Sequence, residues 1–141
     1  MKTFKQSLLL ISLIFILFSC EDLFEPPESS DVRDKIVDVW TCLENSQIFK
    51  SIAGSYTVEI SKSETDSIRV YIENFYNLDR TKGVYATMNN KKLTITNQNI
   101  DDFIINGTGT ISNNYNVIEW TYSVELPNGE VDNVTATYER K

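Results

Sequence analysis

The sequence contains no histidine and only two cysteines among its 141 residues. The absence of histidine excludes a Ser-His-Asp triad, a Cys-His pair and a histidine-ligated zinc site within the chain. Two cysteines are too few for a thiolate metal cluster. The sequence also lacks an Asp-x-Asp-x-Asp-Gly calcium loop and a Gly-Lys-Ser/Thr phosphate-binding loop. We therefore expect neither a metal nor another cofactor.

Basic residues are also scarce, with 13 Lys and Arg against 20 Asp and Glu and a net charge of −7. Residues 1–19 hold Lys2 and Lys5 and no acid, so without them 11 basic residues face 20 acidic ones and the net charge is −9. No basic stripe is present to neutralise phosphates, which excludes a nucleic-acid partner.

An enzyme built from this sequence would have to rely on carboxylates. A glycosidase needs two of them across a cleft, and no pair stands out in the sequence. Asp101-Asp102 and the pair Glu130 and Asp132 are expected to be solvated charges on loops or strand faces. We therefore expect a protein that is not an enzyme.

The N-terminal segment has a basic start followed by a short apolar run, Leu8–Phe18, which only Ser12 interrupts. Its eleven residues fall within the ~7–15 of a signal-peptide core and short of the ~20 that span a bilayer. Leu17-Phe18-Ser19-Cys20 resembles a bacterial lipobox. The resemblance implies a lipoprotein signal peptide at 1–19, cleavage between Ser19 and Cys20, and palmitate-type lipid attachment at Cys20. The alternative is an ordinary signal peptide followed by a free thiol.

Residues 20–30 form an acidic, proline-containing segment. Pro26-Pro27-Glu28-Ser29-Ser30 cannot build a packed core, so it predicts a semi-rigid tether. Acidic residues directly after a lipidated cysteine resemble the surface-export signal of lipoproteins from the Bacteroidota. This resemblance implies a lipid-anchored protein of the bacterial outer membrane that is exposed at the cell surface, and a plain solvated tether is the alternative.

From Trp40 onward, apolar and polar residues alternate with a period of two, which is typical of half-buried strands. The alternation predicts eight or nine strands: Trp40–Glu44, Ser55–Ser61, Ser67–Glu73, Val84–Met88, Lys92–Thr96, Phe103–Ile105, Thr108–Ser112, Val117–Leu126 and Val131–Glu139. Short connections favour antiparallel pairing of neighbours. We expect residues 31–141 to form one all-β domain, a meander barrel of about eight strands whose closure removes exposed edges. A β-sandwich is the alternative.

Three local patterns refine this expectation. Residues 30–39 predict a short helix capped by Ser30 or Asp31. Asn128-Gly129 predicts a tight hairpin. Gly107-Thr108-Gly109-Thr110 predicts a strand that is bent or closely approached by another backbone.

The aromatic residues are the remaining functional signal. Trp40, Tyr56, Trp120 and Tyr122 fall on the apolar sides of their strands, so they either fill the core or face a ligand in the barrel. Cys42 shares a strand face with Trp40, which predicts a small buried hydrophobe that has no disulfide partner once Cys20 is lipidated.

Two tyrosines on polar faces and one serine complete the set of candidate residues. Tyr71 and Tyr85 point outward and predict an exposed contact patch. Asp66-Ser67-Ile68 resembles the three-residue O-glycosylation site of Bacteroidota envelopes, which implies modification at Ser67.

Several segments resemble a group of small uncharacterised lipoproteins of the Bacteroidota, among them Trp40-Thr41-Cys42, Leu93-Thr94-Ile95 and Thr135-Ala136-Thr137-Tyr138. The chain is also similar to lipocalin-like (calycin) barrels, in which a short helical lead-in precedes Gly-x-Trp on the first strand. Here Trp40 matches and Asp38 replaces the glycine. The resemblance implies a barrel without catalytic residues.

Together these features predict a membrane-anchored, non-catalytic binding module of the outer envelope, with a small hydrophobic, glycan or peptide ligand. The alternative is a structural accessory or adhesion subunit that docks on another envelope protein.

Overall fold

The computed structural model describes residues 31–49 and 54–140. Eight strands occur in this part of the chain: β1 Asp38–Ser46, β2 Tyr56–Lys62, β3 Arg69–Glu73, β4 Gly83–Asn89, β5 Lys92–Ile100, β6 Phe103–Ile111, β7 Val117–Glu125 and β8 Val131–Arg140. Each strand pairs antiparallel with the next, and β1 also pairs with β8, so the sheet is a closed barrel. The predicted all-β meander barrel is confirmed, and the β-sandwich alternative is wrong. The fold is lipocalin-like.

The helix predicted near residue 31 is present as a 3-10 turn, Val32–Lys35. Asp31 caps it, since its carboxylate accepts a hydrogen bond from the Arg33 backbone N–H at 3.0 Å. Ser30 lies outside the described residues, as do the predicted signal peptide, Cys20 and the tether. No helix within 31–49 and 54–140 is long and apolar enough to cross a membrane.

Trp40 closes one end of the barrel, which we call the Trp40 end. Its indole Nε1 donates to the Ile36 carbonyl at 3.0 Å. The Arg140 guanidinium lies 4.8 Å from the centre of the Trp40 ring, and its Nη2 donates to the Lys35 carbonyl at 2.6 Å. The 3-10 turn, β1 and β8 are thereby joined at this end.

One strand boundary differs from the sequence prediction. Phe103–Ile105 and Thr108–Ser112 were expected as two strands, whereas a single strand, β6, runs from Phe103 to Ile111. The two glycines do not interrupt it, because they make room for aromatic side chains of β7. A Cβ at Gly107 would lie 2.2 Å from Tyr122 Cβ, and one at Gly109 would lie 2.9 Å from the Trp120 ring. The predicted close approach of another backbone is confirmed at Gly107, where a Cβ would also lie 2.6 Å from Tyr122 Cα, whereas Gly109 is approached by a side chain.

The β7–β8 hairpin forms as Asn128-Gly129 predicts. Gly129 has a φ of 84°, a left-handed conformation that glycine adopts without steric cost. The Leu126 N–H donates to the Glu130 carbonyl at 2.8 Å, which closes the turn. The hairpin fixes the register of β8 and with it the inward position of Asp132.

Candidate ligand-binding site

The barrel interior is apolar near Trp40 and becomes polar toward the other end, where β1 finishes. We call this the Glu44 end. Inward positions of β1 carry Trp40, Cys42, Glu44 and Ser46 in turn, so the alternation that buries the first two also turns Glu44 and Ser46 inward. Two groups of hydrogen bonds occupy the Glu44 end, one around Glu44 and one around Asp132.

Glu44 accepts hydrogen bonds from two phenols through the same oxygen. Tyr56 Oη donates to Glu44 Oε2 at 2.5 Å, and Tyr122 Oη donates to that atom as well. Burial raises the pKa of the Glu44 carboxyl above its usual value, although the hydrogen bonds from Tyr122 and Tyr56 act in the opposite direction. Burial also raises the pKa of both phenols, which keeps them protonated as donors.

Asp132 corrects the sequence prediction. It was expected, with Glu130, to be a solvated charge, but Asp132 is 0% exposed whereas Glu130 is exposed. The reason is strand parity, because Asp132 shares the inward face of β8 with Val134 and Ala136. Asp101 and Asp102 are exposed, as expected.

The Asp132 carboxylate is held by four donors. Ser46 Oγ and Tyr76 Oη donate to its Oδ2 at 2.5 and 2.7 Å, while the backbone N–H groups of Gln47 and Ile48 donate to its Oδ1 at 2.9 and 3.1 Å. Burial acts to raise the pKa of the Asp132 carboxyl, but these hydrogen bonds together lower it. We call this arrangement the Asp132 clamp, because it ties the chain after β1 and the β3–β4 connection to β8.

The β3–β4 connection places Phe75 inside the barrel. Phe75 is 1% exposed, and its ring centre lies 4.7 Å from that of Tyr122, 5.5 Å from that of Trp120 and 6.4 Å from that of Tyr138. The Phe75 ring thus occupies the space between the aromatic side chains of β7 and β8. We call the connection residues Asn74–Leu78 the Phe75 plug.

The plug has an unusual backbone. Asn74, Tyr76 and Asn77 have φ values of 59°, 56° and 52°, all in the left-handed region. Asparagine tolerates this conformation, whereas a bulky residue such as tyrosine adopts it at a cost of about 1–2 kcal/mol. Contacts elsewhere offset that cost: Tyr76 donates to Asp132, and Asn74 Nδ2 donates to the Thr57 carbonyl at 2.8 Å.

Two polar atoms of the interior, Trp120 Nε1 and Tyr138 Oη, are buried and have no hydrogen-bond partner among the described residues. Each such atom costs about 1–3 kcal/mol relative to a satisfied one. Tyr138 lies opposite Cys42 in the β1–β8 register. Burial raises the pKa of Tyr138, and the Cys42 thiol and the Glu44 carboxyl act in the same direction. The ring centres of Tyr138 and Trp120 lie 5.8 Å apart, so the two side chains with unpartnered atoms are neighbours.

Three of the four predicted ligand-facing residues meet at this site. Tyr56 and Tyr122 share Glu44 as acceptor, and Trp120 reaches them through the Phe75 ring. Trp40 lies apart, at the other end of the barrel, with its own polar atom satisfied. The role of these four residues in ligand binding stays a prediction.

Cys42 is buried, as predicted. Burial raises the pKa of its thiol to about 12, so it is protonated and unreactive at neutral pH. Within 31–49 and 54–140, no three Cys, Asp or Glu side chains form a group that could hold a metal ion.

The outward-facing candidates also have defined positions. Tyr71 and Tyr85 are direct cross-strand partners on β3 and β4, with ring centres 5.0 Å apart, and Tyr85 is 43% exposed. A surface depression of about 280 Å³ lies beside Tyr85 and is lined partly by Thr87 and Thr94. Ser67 is exposed in the turn before β3, and its modification stays a prediction.

Sequence reasoning missed Glu44, Phe75, Tyr76 and Tyr138 as members of the site. Glu44 and Asp132 could have been found from the sequence, because each carboxylate falls on the inward-facing, otherwise apolar side of its strand. Phe75 carries no such signal, because it lies in a connection without periodicity. No model of a known protein family matches this chain, and no curated protein matches it.

Proposed function

We propose that the chain is a lipid-anchored lipoprotein of the bacterial outer membrane, of the Bacteroidota type, and acts there as a non-catalytic binding module. The proposed ligand is a small molecule that occupies the Glu44 end of the barrel. One observation carries this proposal: buried polar atoms of Trp120 and Tyr138 lack partners in an aromatic interior in which Tyr122 is hydrogen-bonded to the Glu44 carboxyl. Native proteins satisfy nearly all such atoms, and a bound ligand is one way to do so.

The geometry favours a compact ligand over a glycan chain or a peptide. The interior is enclosed by rings that lie 4.7–6.4 Å from Phe75, which leaves no room for a polymer. A ligand with one or two hydrogen-bonding groups matches the polar atoms present, and the aromatic rings match an apolar body.

Native mass spectrometry of the full chain, extracted from membranes in mild detergent, tests ligand binding. We expect a small-molecule adduct on the wild-type protein and its loss when Glu44→Gln and Tyr138→Phe are combined. Tyr85→Phe is the matched control, because it removes a phenol from the outer face and should keep the adduct. Identical spectra for the wild type and the double variant would contradict the proposal.

The anchor is tested separately through the two cysteines. Cys20→Ala should abolish lipid attachment and signal-peptide cleavage, whereas Cys42→Ala should leave both intact. Membrane fractionation and the mass of the isolated protein measure the outcome. Normal processing and membrane retention of the Cys20→Ala protein would exclude the lipobox.

A second candidate function, docking on another envelope protein, draws on the outward Tyr71–Tyr85 pair and the depression beside it. It predicts that a partner co-purifies with the wild type and is lost in Tyr85→Ser, while Ser123→Ala on β7 retains it. A strictly monomeric extract would count against this function.

A further inference from the structure

We propose that the Phe75 plug is displaceable and that the space filled by the Phe75 ring is the binding subsite for a single six-membered ring bearing a hydroxyl group. This inference rests on the proposed binding function and goes further, since it names the ligand class and the part of the protein that must move.

The first plug residue continues the β3–β4 pairing, since the Asn74 N–H donates to the Lys82 carbonyl at 2.7 Å, but residues 75–78 belong to no strand. Residues 74–78 lie between β3 and β4 and include three left-handed residues, of which Tyr76 is the costly one. The side-chain bonds that hold them are Tyr76 Oη to Asp132 and Asn74 Nδ2 to the Thr57 carbonyl. A segment that is strained in its seated conformation gains backbone freedom when it leaves.

The apolar Phe75 ring does not match the polar atoms of the side chains that surround it. The Phe75 ring has the right shape for the space between Trp120, Tyr122 and Tyr138, but it has no polar atom. Trp120 Nε1 and Tyr138 Oη, on two of the three rings that contact Phe75, have no partner while Phe75 is seated. A ring of the same size with a hydroxyl group would keep the ring contacts and supply the missing polar partner.

A hydroxyl group is the chemistry that fits all the polar groups. Trp120 Nε1 can only donate, so the ligand must offer an acceptor. Tyr138 Oη can donate or accept, and a hydroxyl is the smallest group that can pair with it and can also accept from Trp120. The half-buried Glu44 carboxyl adjoins these rings through its hydrogen bond with Tyr122.

The experiment uses the lipidated full chain in lipid nanodiscs, with tryptophan labelled with 15N. Phenol is the probe, and fluorobenzene is its match in shape without the hydroxyl; equilibrium dialysis fixes the free concentration of each. The sequence contains two tryptophans, so Trp120 reports on the site and Trp40, whose indole already has a partner, is the internal control. Phenol should shift the Trp120 indole N–H downfield and leave that of Trp40 in place.

Two variants separate the plug from the polar recognition. Phe75→Ala empties the subsite, so phenol should bind about tenfold more tightly than to the wild type, which must first release the plug. This variant should prefer phenol to fluorobenzene by about tenfold, and adding Glu44→Gln and Tyr138→Phe should remove most of that preference. Phe75→Leu takes the place of Phe75→Ala if the alanine variant does not fold.

Hydrogen exchange measures plug movement in the wild type. The Asn77 and Leu78 amides donate to the carbonyls of Asn74 and Phe75, and they should exchange faster when phenol is saturating. Unchanged exchange with phenol bound would refute displacement of the plug. Equal affinity of Phe75→Ala for phenol and fluorobenzene would refute recognition of the hydroxyl. If either occurs while the extracted protein still carries a small-molecule adduct, the proposed function survives and this inference fails.

Discussion

Replacing Asp132 with asparagine should destabilise the barrel strongly, because the Asp132 clamp holds four donors on one carboxylate. Ser46 Oγ, Tyr76 Oη and the backbone N–H groups of Gln47 and Ile48 all donate to it. Asparagine keeps one carbonyl oxygen but turns an N–H₂ group toward donors. About half of the acceptor capacity is lost, and buried donors remain unpaired.

The expected loss is about 3–6 kcal/mol. A hydrogen bond to a charged group contributes roughly 1.5–3 kcal/mol, and two of the four bonds are forfeited. Whole domains are stable by about 5–15 kcal/mol, so this loss is a substantial fraction of the total. With a urea m-value of about 1.5 kcal/mol/M, the unfolding midpoint should fall by about 2–4 M.

Urea unfolding followed by tryptophan fluorescence is the assay. Glu139→Gln is the matched control, because Glu139 lies on the same strand but is exposed, and its midpoint should stay close to that of the wild type. The reasoning is refuted if Asp132→Asn loses less than about 1 kcal/mol.

The pH dependence gives a second readout of the clamp. The pKa of Asp132 is lower in the folded state than the value of 3.8 for a free aspartate, so the carboxylate stabilises the fold above that pH. The stabilisation is lost as the pH falls through the folded-state pKa. The stability gap between the wild type and Asp132→Asn should therefore narrow in acid, and a constant gap would contradict the assignment.

Three further predictions concern other groups. Glu44→Gln should be at least as stable as the wild type at pH 7. The folded-state pKa of Glu44 lies above the ordinary value of 4.5, so the wild type loses stability as the pH rises from 4.5 through the folded-state pKa. Urea unfolding at pH 4 and 7 measures the difference, and a variant that is less stable than the wild type at pH 7 would contradict this prediction. Tyr138→Phe removes an unpartnered hydroxyl, so it should lower the stability by less than about 0.5 kcal/mol or raise it. Tyr122→Phe removes a hydroxyl that donates to Glu44 and should lose about 1 kcal/mol in the same assay. Equal losses would show that the Tyr138 hydroxyl has a partner. Gly107→Ala places a Cβ 2.2 Å from Tyr122 Cβ and should cost about 2–4 kcal/mol of stability, measured by thermal unfolding. Gly54→Ala is the control, because no heavy atom lies within 4 Å of its new Cβ. Similar melting temperatures for the two variants would refute the close approach.

Strand alternation predicted most of the fold because a half-buried strand alternates apolar and polar residues with a period of two, whichever strands it pairs with. The pattern placed β7 and β8 within one residue of their observed ends. It failed at β6, where the prediction placed a break at Asn106-Gly107 between two strands. The role of Gly107 depends on Tyr122 of the neighbouring strand, and a single strand's sequence does not contain that information.

The candidate site was only half predictable, for a related reason. The inward positions of Tyr56, Trp120 and Tyr122 can be predicted from the alternation of apolar and polar residues along their strands alone. Asp132 obeys the same parity, but its charge favoured a solvated position, and what permits its burial is a set of four donors from the end of β1, the residues after it and the β3–β4 connection. Phe75 enters the barrel through left-handed backbone at residues that are not glycine, and no local preference indicates this.

The order in which the strands pair affects how long the folded barrel persists before it unfolds. Most strand pairings join neighbours in sequence, whereas the β1–β8 seam joins Trp40 to Arg140 across about a hundred residues and carries the largest loop-closure entropy. We expect this seam to form after the folding transition state and to open first. The hydrogen bond between Ser46 and Asp132 crosses it. Substitutions there should therefore speed unfolding and leave the folding rate nearly unchanged, so the Asp132 clamp determines how long the barrel stays shut rather than how fast it forms.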